Sequence, residues 1–248
     1  MIRFLVKLIA WLALVGFSWL IVENSLPYLV ARDDVPFLQE RPWLAANASW
    51  RAMLGVHVAG GIVCLLSCLL QFHRPLIRRA PALHRRLGGV YVHSVLWILC
   101  PTGFYLAFFA KGGSSGVAGF LVLGVVTFWT TWRGWIAMRR GRTHDHILWM
   151  IRSFAMVTTA ITFRIYNIAL HELGHSAYQI ALYLSLAGNA AAAEWAVLRM
   201  NSPAIRKPQT EKTNEDQNRN PAHTPVRWRA AARRTHAETQ ISNRRVPT

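Results

Sequence analysis

Six long apolar segments constrain this 248-residue chain more than any other feature of its sequence. Each is long enough to cross about 30 Å of hydrocarbon as an α-helix that rises 1.5 Å per residue. Lipid offers no hydrogen bonds to a bare backbone, so helices are the structure that such segments form. We therefore predict an all-α, polytopic membrane bundle of about six transmembrane helices, near residues 4–23, 52–72, 87–109, 116–138, 147–171 and 176–199.

The loops between these segments set the predicted orientation. Only 16% of the residues are charged, yet the net charge is +17, and basic residues gather in HRPLIRRAPALHRR, in RRGRTHDH and after Arg199. The alternate loops have mixed charge at 24–51 or a single lysine in KGGSSG. Because basic loops stay in the cytoplasm, both termini are predicted to be cytoplasmic. The first segment lacks a small-x-small cleavage site, so we predict a retained helix rather than a signal peptide.

Three regions follow from this pattern. We expect the first transmembrane helix and an extracytoplasmic loop at 1–49, five transmembrane helices at 50–199, and a disordered basic cytoplasmic tail at 200–248. The expected partner is the lipid bilayer of a bacterial inner (plasma) membrane, with anionic lipid head groups in contact with the tail. Nucleic-acid binding is not expected, because most arginines flank apolar segments. The oligomeric state stays open.

A short motif, HELGH at His171 to His175, has the H-E-x-x-H form of zinc peptidases. In those enzymes two histidines one helical turn apart bind the metal, and the glutamate is the general base. Glu194 follows at a spacing that resembles the third ligand of gluzincin aminopeptidases. On a continuous helix, however, Glu194 would lie about 28 Å from His175, whereas zinc needs ligand atoms about 2 Å away. We therefore disfavour a metal at His171, Glu172 and His175 and predict a polar extracytoplasmic turn.

Titratable residues at membrane depth are candidates for function, because they are costly there. His57 and Arg164 lie about 8 and 10 Å below the outer ends of their helices, so they can share a layer. His57 also begins a stripe at three-four spacing that we expect to face the bundle interior. The stripe comprises His57, Gly61, Cys64, Cys68 and Gln71. Its cysteines are small packing residues in this interpretation.

A second polar layer is predicted about 8–9 Å from the cytoplasmic ends of four helices. It comprises His93, Arg133, Arg152 and Glu194. Arg152 and Glu194 are placed to form an ion pair between the fifth and sixth helices. Two further histidines, His84 and His146, lie at the cytoplasmic mouths of the third and fifth helices.

Two longer elements carry a resemblance to a known family. They are H-R-x-x-G-x-x-Y from His84 to Tyr91 and H-x-x-W-M-x-R-S from His146 to Ser153. Together with GFYLAFFAKGG and the late N-x-x-x-x-E that ends at Glu194, they resemble a family of bacterial predicted membrane proteins, domain of unknown function 2306. The resemblance covers about residues 50–199. This sequence has glycine and isoleucine, at positions 89 and 147, where that family often has arginine.

The resemblance implies that residues 50–199 are a family core with five transmembrane helices. It implies that several positions matter for function or folding, namely His57, His84, His146, Arg152 and Arg164, and Gln71 also fits the family pattern. It also implies that Glu194 belongs to the pattern of the last helix rather than to a zinc motif. It implies no particular activity.

Our leading hypothesis is a multi-pass membrane protein that binds haem b or quinone for electron transfer. Histidines near both faces of a bundle can ligate haem through neutral imidazole nitrogens, and arginines can pair with its propionates. The candidate ligands are His57, His84, His93 and His146, beside a polar cluster of Arg152, Arg164 and Glu194. The alternatives are a transporter or carrier of small molecules or protons, a structural assembly partner and, disfavoured, an HExxH zinc protease. Whether the protein is an enzyme stays open.

Overall fold

The computed structural model describes residues 2–30, 34–71 and 79–202, and these form helices with no strand among them. Six stretches are long and apolar enough to cross a membrane, so the predicted six-span, all-α bundle is confirmed. The spans are Trp11–Leu29, Ala48–Gln71, Pro81–Ala107, Gly113–Arg139, Thr143–Ala169 and Ala177–Asn201. Orientation across the membrane, with both termini in the cytoplasm, stays a prediction.

The helices are numbered in chain order. They are α1 (Ile2–Leu29), α2 (Pro36–Gln39), α3 (Pro42–Ala45), α4 (Ala48–Gln71), α5 (Pro81–His93), α6 (Cys100–Ala107), α7 (Gly113–Arg139), α8 (Thr143–Val157), α9 (Thr159–Ala169) and α10 (Ala177–Asn201). A π-helical stretch, Ser94–Leu99, joins α5 to α6, and a 3₁₀ stretch, His171–Ser176, joins α9 to α10.

The chain divides into two compact units, Met1–Val197 and Leu198–Thr248. The sites described below belong to the first, and the last span, Ala177–Asn201, ends within the second. In the second, only the residues up to 202 are described. The predicted tail at 200–248 therefore lies, from residue 203 onward, outside the described residues, as does the arginine-rich stretch at 72–78.

Two spans begin or end several residues away from the prediction. Helix α1 continues to Leu29, past the predicted end at 23, because its polar side chains bond to their own helix: the Asn24 amide donates to the Leu20 carbonyl at 2.7 Å. Helix α5 begins at Pro81 rather than near 87. Proline suits the first turn of a helix, where its missing N–H leaves no hydrogen bond unmade.

The third span is a continuous rod in which the π-helical stretch precedes Pro101. Proline cannot donate an amide hydrogen bond to the preceding turn, and a π turn is one way in which a helix absorbs that change. This stretch packs directly on α4. A Cβ added to Gly60 would lie 2.5 Å from Ile98 Cγ2, so only glycine permits the approach.

The predicted inward stripe of α4 does face the interior. Cys64 and Cys68 are fully buried and pack with Tyr91, Val95 and Cys100 of the third span. The Gln71 amide, at the other end of the stripe, donates to the His84 carbonyl at 3.3 Å. The described cysteines are free thiols, as their assignment as packing residues requires.

The fifth span is broken at Thr158, where α8 ends and α9 begins. Asn189, on the neighbouring α10, stabilises this break. Its amide nitrogen lies 3.0 Å from the Ala155 carbonyl oxygen and 3.1 Å from the hydroxyl oxygens of Thr159 and Thr162. One polar side chain therefore satisfies backbone and side-chain acceptors that the break exposes within the bundle.

Large apolar side chains cover the outside of the spans. Trp19, Trp97 and Ile168 are each exposed over more than half of their surface. A soluble protein rarely displays so much contiguous apolar surface. Lipid contact accounts for it, as the six spans require.

Candidate functional site

A cavity of about 440 Å³ lies among the spans, with mostly apolar walls. Residues from α1, α4, α6, α7, α9 and α10 line it, so most of the bundle contributes to its walls. A few polar side chains interrupt the apolar lining, which is the usual composition of a small-molecule site. The largest are Tyr28, Trp50, His57, Lys111, Arg164 and Tyr178.

His57 is fixed in this cavity by a hydrogen bond across the α4–α6 interface. Its Nδ1 lies 3.0 Å from Thr102 Oγ1. The Thr102 hydroxyl donates its only proton to the Ile98 carbonyl at 2.6 Å, so it accepts from His57. The hydrogen-bond network thereby assigns the proton of the neutral imidazole to Nδ1 and makes Nε2 the acceptor nitrogen.

Trp50 contributes a hydrogen-bond donor that has no partner. Its side chain is 2% exposed, and its indole Nε1 is buried without an acceptor among the described residues. The ring stacks on Phe37 with centroids 6.2 Å apart, and Asn47 Oδ1 caps α4 by accepting from the Trp50 amide at 3.0 Å. A buried indole N–H normally finds an acceptor, so this one indicates a place for a ligand oxygen or a water.

Arg164 places a cation in the same cavity. Its Nη1 donates to the Ala160 carbonyl at 2.9 Å, within its own helix. Among the described residues no carboxylate forms an ion pair with it. Its remaining N–H donors are therefore suited to an anionic or carbonyl oxygen.

A second depression of about 790 Å³ adjoins the cavity and shares Lys111 and Tyr178 with it. We call this depression the vestibule. It is lined by Arg41 and Lys111 together with His171 and Gly174 of the HELGH motif. Arg41 donates to the Phe109 carbonyl, and Lys111 pairs with Glu40. The vestibule thus connects the cavity with the end of the bundle where α9 meets α10.

The HELGH motif forms a 3₁₀ turn rather than an α-helical face. The turn is kinked at Gly174, whose φ is +60°. His171 Nε2 lies 2.8 Å from Glu172 Oε1, and its Nδ1 lies 3.1 Å from the Ile168 carbonyl oxygen. Within the described part of the chain, no group of three or more His, Cys, Asp and Glu is arranged to hold a metal ion. The polar turn predicted between the last two spans is the structure that forms.

The predicted ion pair between the fifth and sixth spans is confirmed. Arg152 Nε and Nη2 donate to the two carboxylate oxygens of Glu194 at 2.6 and 2.7 Å. The third-ligand candidate of the zinc hypothesis is therefore engaged by an arginine. Arg152 also lies over the Trp149 ring, with its guanidinium carbon 4.8 Å from the centroid.

A family model described as Predicted membrane protein (DUF2306) matches residues 54–197, which is more than half of the chain. The chain belongs to the DUF2306 family. The match agrees with the expected family core at about 50–199. No curated protein and no solved structure matches the sequence.

The cavity combines the DUF2306 region with the segment that precedes it. His57, Arg164 and Tyr178 lie within the matched residues, whereas Tyr28 and Trp50 precede them. Residues outside the family region therefore supply part of the lining, including the unpartnered indole N–H.

The four candidate histidines do not form one group in this DUF2306 protein. His57 lines the cavity, whereas His84 and His146 lie near each other at the opposite end of the bundle. His146 Nδ1 is bonded to the Gly134 carbonyl at 2.9 Å, and His84 Nδ1 is buried with no partner among the described residues. His93 is exposed, bonds to the Gly89 carbonyl and packs its ring against Trp135.

Several functional candidates were missed by sequence reasoning. Trp50 and Thr102 were not singled out, because nothing in their neighbourhood marks an unpaired donor or a partner on another helix. A buried hydroxyl chain also appears only in the fold. The hydroxyl oxygen of Ser153 lies 2.6 Å from the hydroxyl oxygen of Tyr91 and 2.6 Å from that of Thr131. Tyr91 and Ser153 do end the two family elements, which is the one signal that the sequence offers.

Proposed function

We propose that this DUF2306 protein binds a membrane quinone in the cavity and takes part in electron transfer in a bacterial inner membrane. The observation that carries the proposal is the mixture of hydrogen-bonding roles at one apolar site. His57 Nε2 is an acceptor, whereas Trp50 Nε1 and the Arg164 guanidinium are donors. A quinol offers hydroxyl donors, and a quinone offers carbonyl acceptors on an apolar ring, so the pair fits this mixture.

The walls and the position of the cavity support the same ligand class. Phe120 and Phe163 line it with Tyr178. The Phe163 ring packs edge to face against the other two, with centroids 6.0 and 5.1 Å apart, and the Phe120 and Tyr178 rings are tilted at 6.3 Å. Such a wall suits a flat ring. An ionised fatty acid would use the donors but would leave the His57 acceptor without a proton to bind.

In quinol oxidation, two protons and two electrons leave the ring. His57 Nε2 would take one of these protons and solvent in the vestibule the other, while Trp50 and Arg164 would hold the oxygens in position. The two electrons would leave one at a time to a one-electron acceptor, and a haem b held by the candidate histidines would supply that chemistry.

A second candidate function, haem b binding, is favoured at the other end of the bundle. His146 directs its Nδ1 to the Gly134 carbonyl, an arrangement that commonly orients Nε2 toward a metal. Its neighbour His84 has a buried nitrogen with an unmade bond. The visible spectrum of the purified protein tests this, because a sharp reduced α band that disappears in His146→Ala identifies the ligand.

Quinone binding is tested by calorimetric titration with decylubiquinone in detergent. Trp50→Phe keeps the stacked ring and removes the N–H, and we expect about tenfold weaker binding. His57→Ala should weaken binding similarly, whereas the exposed His93→Ala is the matched control and should bind as the parent does. Equal affinities for decylubiquinone in all four proteins would exclude the cavity as the quinone-binding site. Binding of decanoate with no binding of decylubiquinone would instead favour a carrier for amphipathic anions, which flux in proteoliposomes would then measure.

A further inference from the structure

Arg133 lies on α7 about two turns before the helix ends at Arg139, which is about 9 Å at 1.5 Å per residue. Its side chain is exposed on the surface of the span. An arginine at this depth is unfavourable in lipid unless a partner compensates its charge or the side chain reaches the head groups. Its surroundings therefore indicate what that partner is.

Two indole rings hold the guanidinium of Arg133. Its Cζ lies 5.4 Å from the centroid of Trp129 and 5.0 Å from that of Trp149. Both distances are within the range of favourable cation–π contact. An indole ring supplies no oxygen acceptor, so these contacts place the cation without using its five N–H donors.

The charges around this pair of rings do not cancel. Arg152 also contacts Trp149, with its guanidinium carbon 4.8 Å from the ring centroid. Glu194 neutralises Arg152 through two hydrogen bonds. Arg133 forms no ion pair or hydrogen bond with any described residue. One uncompensated cation thus remains on a lipid-facing surface at interfacial depth.

We propose that Arg133, Trp129 and Trp149 form a binding site for one anionic phospholipid, in the leaflet at the predicted cytoplasmic face. The phosphate accepts two hydrogen bonds from the guanidinium, a geometry that arginine favours. Trp129, which is 51% exposed, lies one turn deeper in the membrane than Arg133, so its ring offers an apolar surface to the acyl chains of the same lipid. A lipid with net negative charge balances the cation, whereas the phosphate of a zwitterionic lipid is already balanced. This site is separate from the quinone cavity and does not depend on it.

The test is native mass spectrometry of the full chain in detergent, titrated with phosphatidylglycerol or phosphatidylcholine. Arg133→Gln should weaken phosphatidylglycerol binding at least about tenfold, because it removes a charged, bidentate donor. Arg86→Gln is the matched control, since it makes the same charge change at an exposed position on α5. Arg133→Lys keeps the charge without the planar fork and should bind several-fold more weakly than the parent.

The outcomes separate a built site from general attraction. Equal weakening in Arg133→Gln and Arg86→Gln would overturn the proposal, because only net charge would then matter. Parent-like affinity in Arg133→Lys would overturn the bidentate contact. In a parallel titration with inorganic phosphate, binding as tight as that of phosphatidylglycerol would overturn the lipid assignment. Should Arg133→Gln fail to fold, Trp129→Leu replaces it, and an unchanged selectivity between the two lipids there would also reject the site.

Discussion

Arg152 and Glu194 join the fifth and sixth spans through two parallel hydrogen bonds of 2.6 and 2.7 Å. The arginine side chain is 22% exposed and the glutamate side chain 53%, so the pair lies at the surface of the bundle rather than at its centre. In water such an exposed pair would contribute little. At membrane depth the alternative for either partner is an uncompensated charge, and the pairing therefore matters more.

Removing one partner should be worse than removing both. Arg152→Ala leaves Glu194 without a counter-ion, whereas the double variant with Glu194→Ala has no charge to compensate. We expect a coupling free energy of about 1–2 kcal/mol from a double-mutant cycle of unfolding in mixed micelles. Additive effects of the two substitutions would show that the two hydrogen bonds do not persist in the micelle-embedded protein.

Asn189→Leu should loosen the break in the fifth span. The substitution removes the amide that reaches Ala155, Thr159 and Thr162, and we expect a loss of about 1–2 kcal/mol of stability. Amide hydrogen exchange should rise near residue 158 and remain unchanged in α4. Gly188→Ala is the neighbouring control, because a Cβ there meets no atom within 4 Å.

Two adjacent glycines on α4 should respond differently to alanine. At Gly60 the new Cβ meets Ile98 Cγ2 at 2.5 Å and its Cβ at 3.2 Å, and a β-branched side chain gives way poorly. At Gly61 the nearest atom is 3.6 Å away, an ordinary contact. We expect Gly60→Ala to lower the free energy of unfolding by about 1–3 kcal/mol and Gly61→Ala to leave it unchanged or raised. The reverse order in thermal unfolding would contradict the close approach of the second and third spans.

Thr102→Val should allow His57 to adopt either neutral tautomer while preserving the shape of the α4–α6 interface. Without Oγ1 the ring loses the acceptor that keeps its proton on Nδ1. Nitrogen NMR of labelled histidine should then show protonation shared between Nδ1 and Nε2, and quinone affinity should fall several-fold. Thr102→Ser keeps the hydroxyl and should retain both properties, so a loss in that variant as well would point to packing instead.

Depth along the membrane is what the sequence by itself determined. Each apolar run sets a span, and 1.5 Å per residue converts position into height. That conversion sufficed to predict the Arg152–Glu194 pair and a common layer for His57 and Arg164, which line one cavity. The inward stripe of α4 followed in the same way from its spacing.

Only the tertiary structure decided how each helix is rotated about its axis and which residues of other helices it contacts. The bond from His57 to Thr102 joins two helices, and so does the bond from Asn189 to the break at Thr158. The unpartnered N–H of Trp50 likewise depends on everything packed around it. Periodicity within one helix gives its apolar face, but which helix meets that face depends on the packing of side chains far apart in sequence. The position of a residue across the membrane follows from its place in one helix, whereas side-chain contacts between helices depend on how the whole bundle packs.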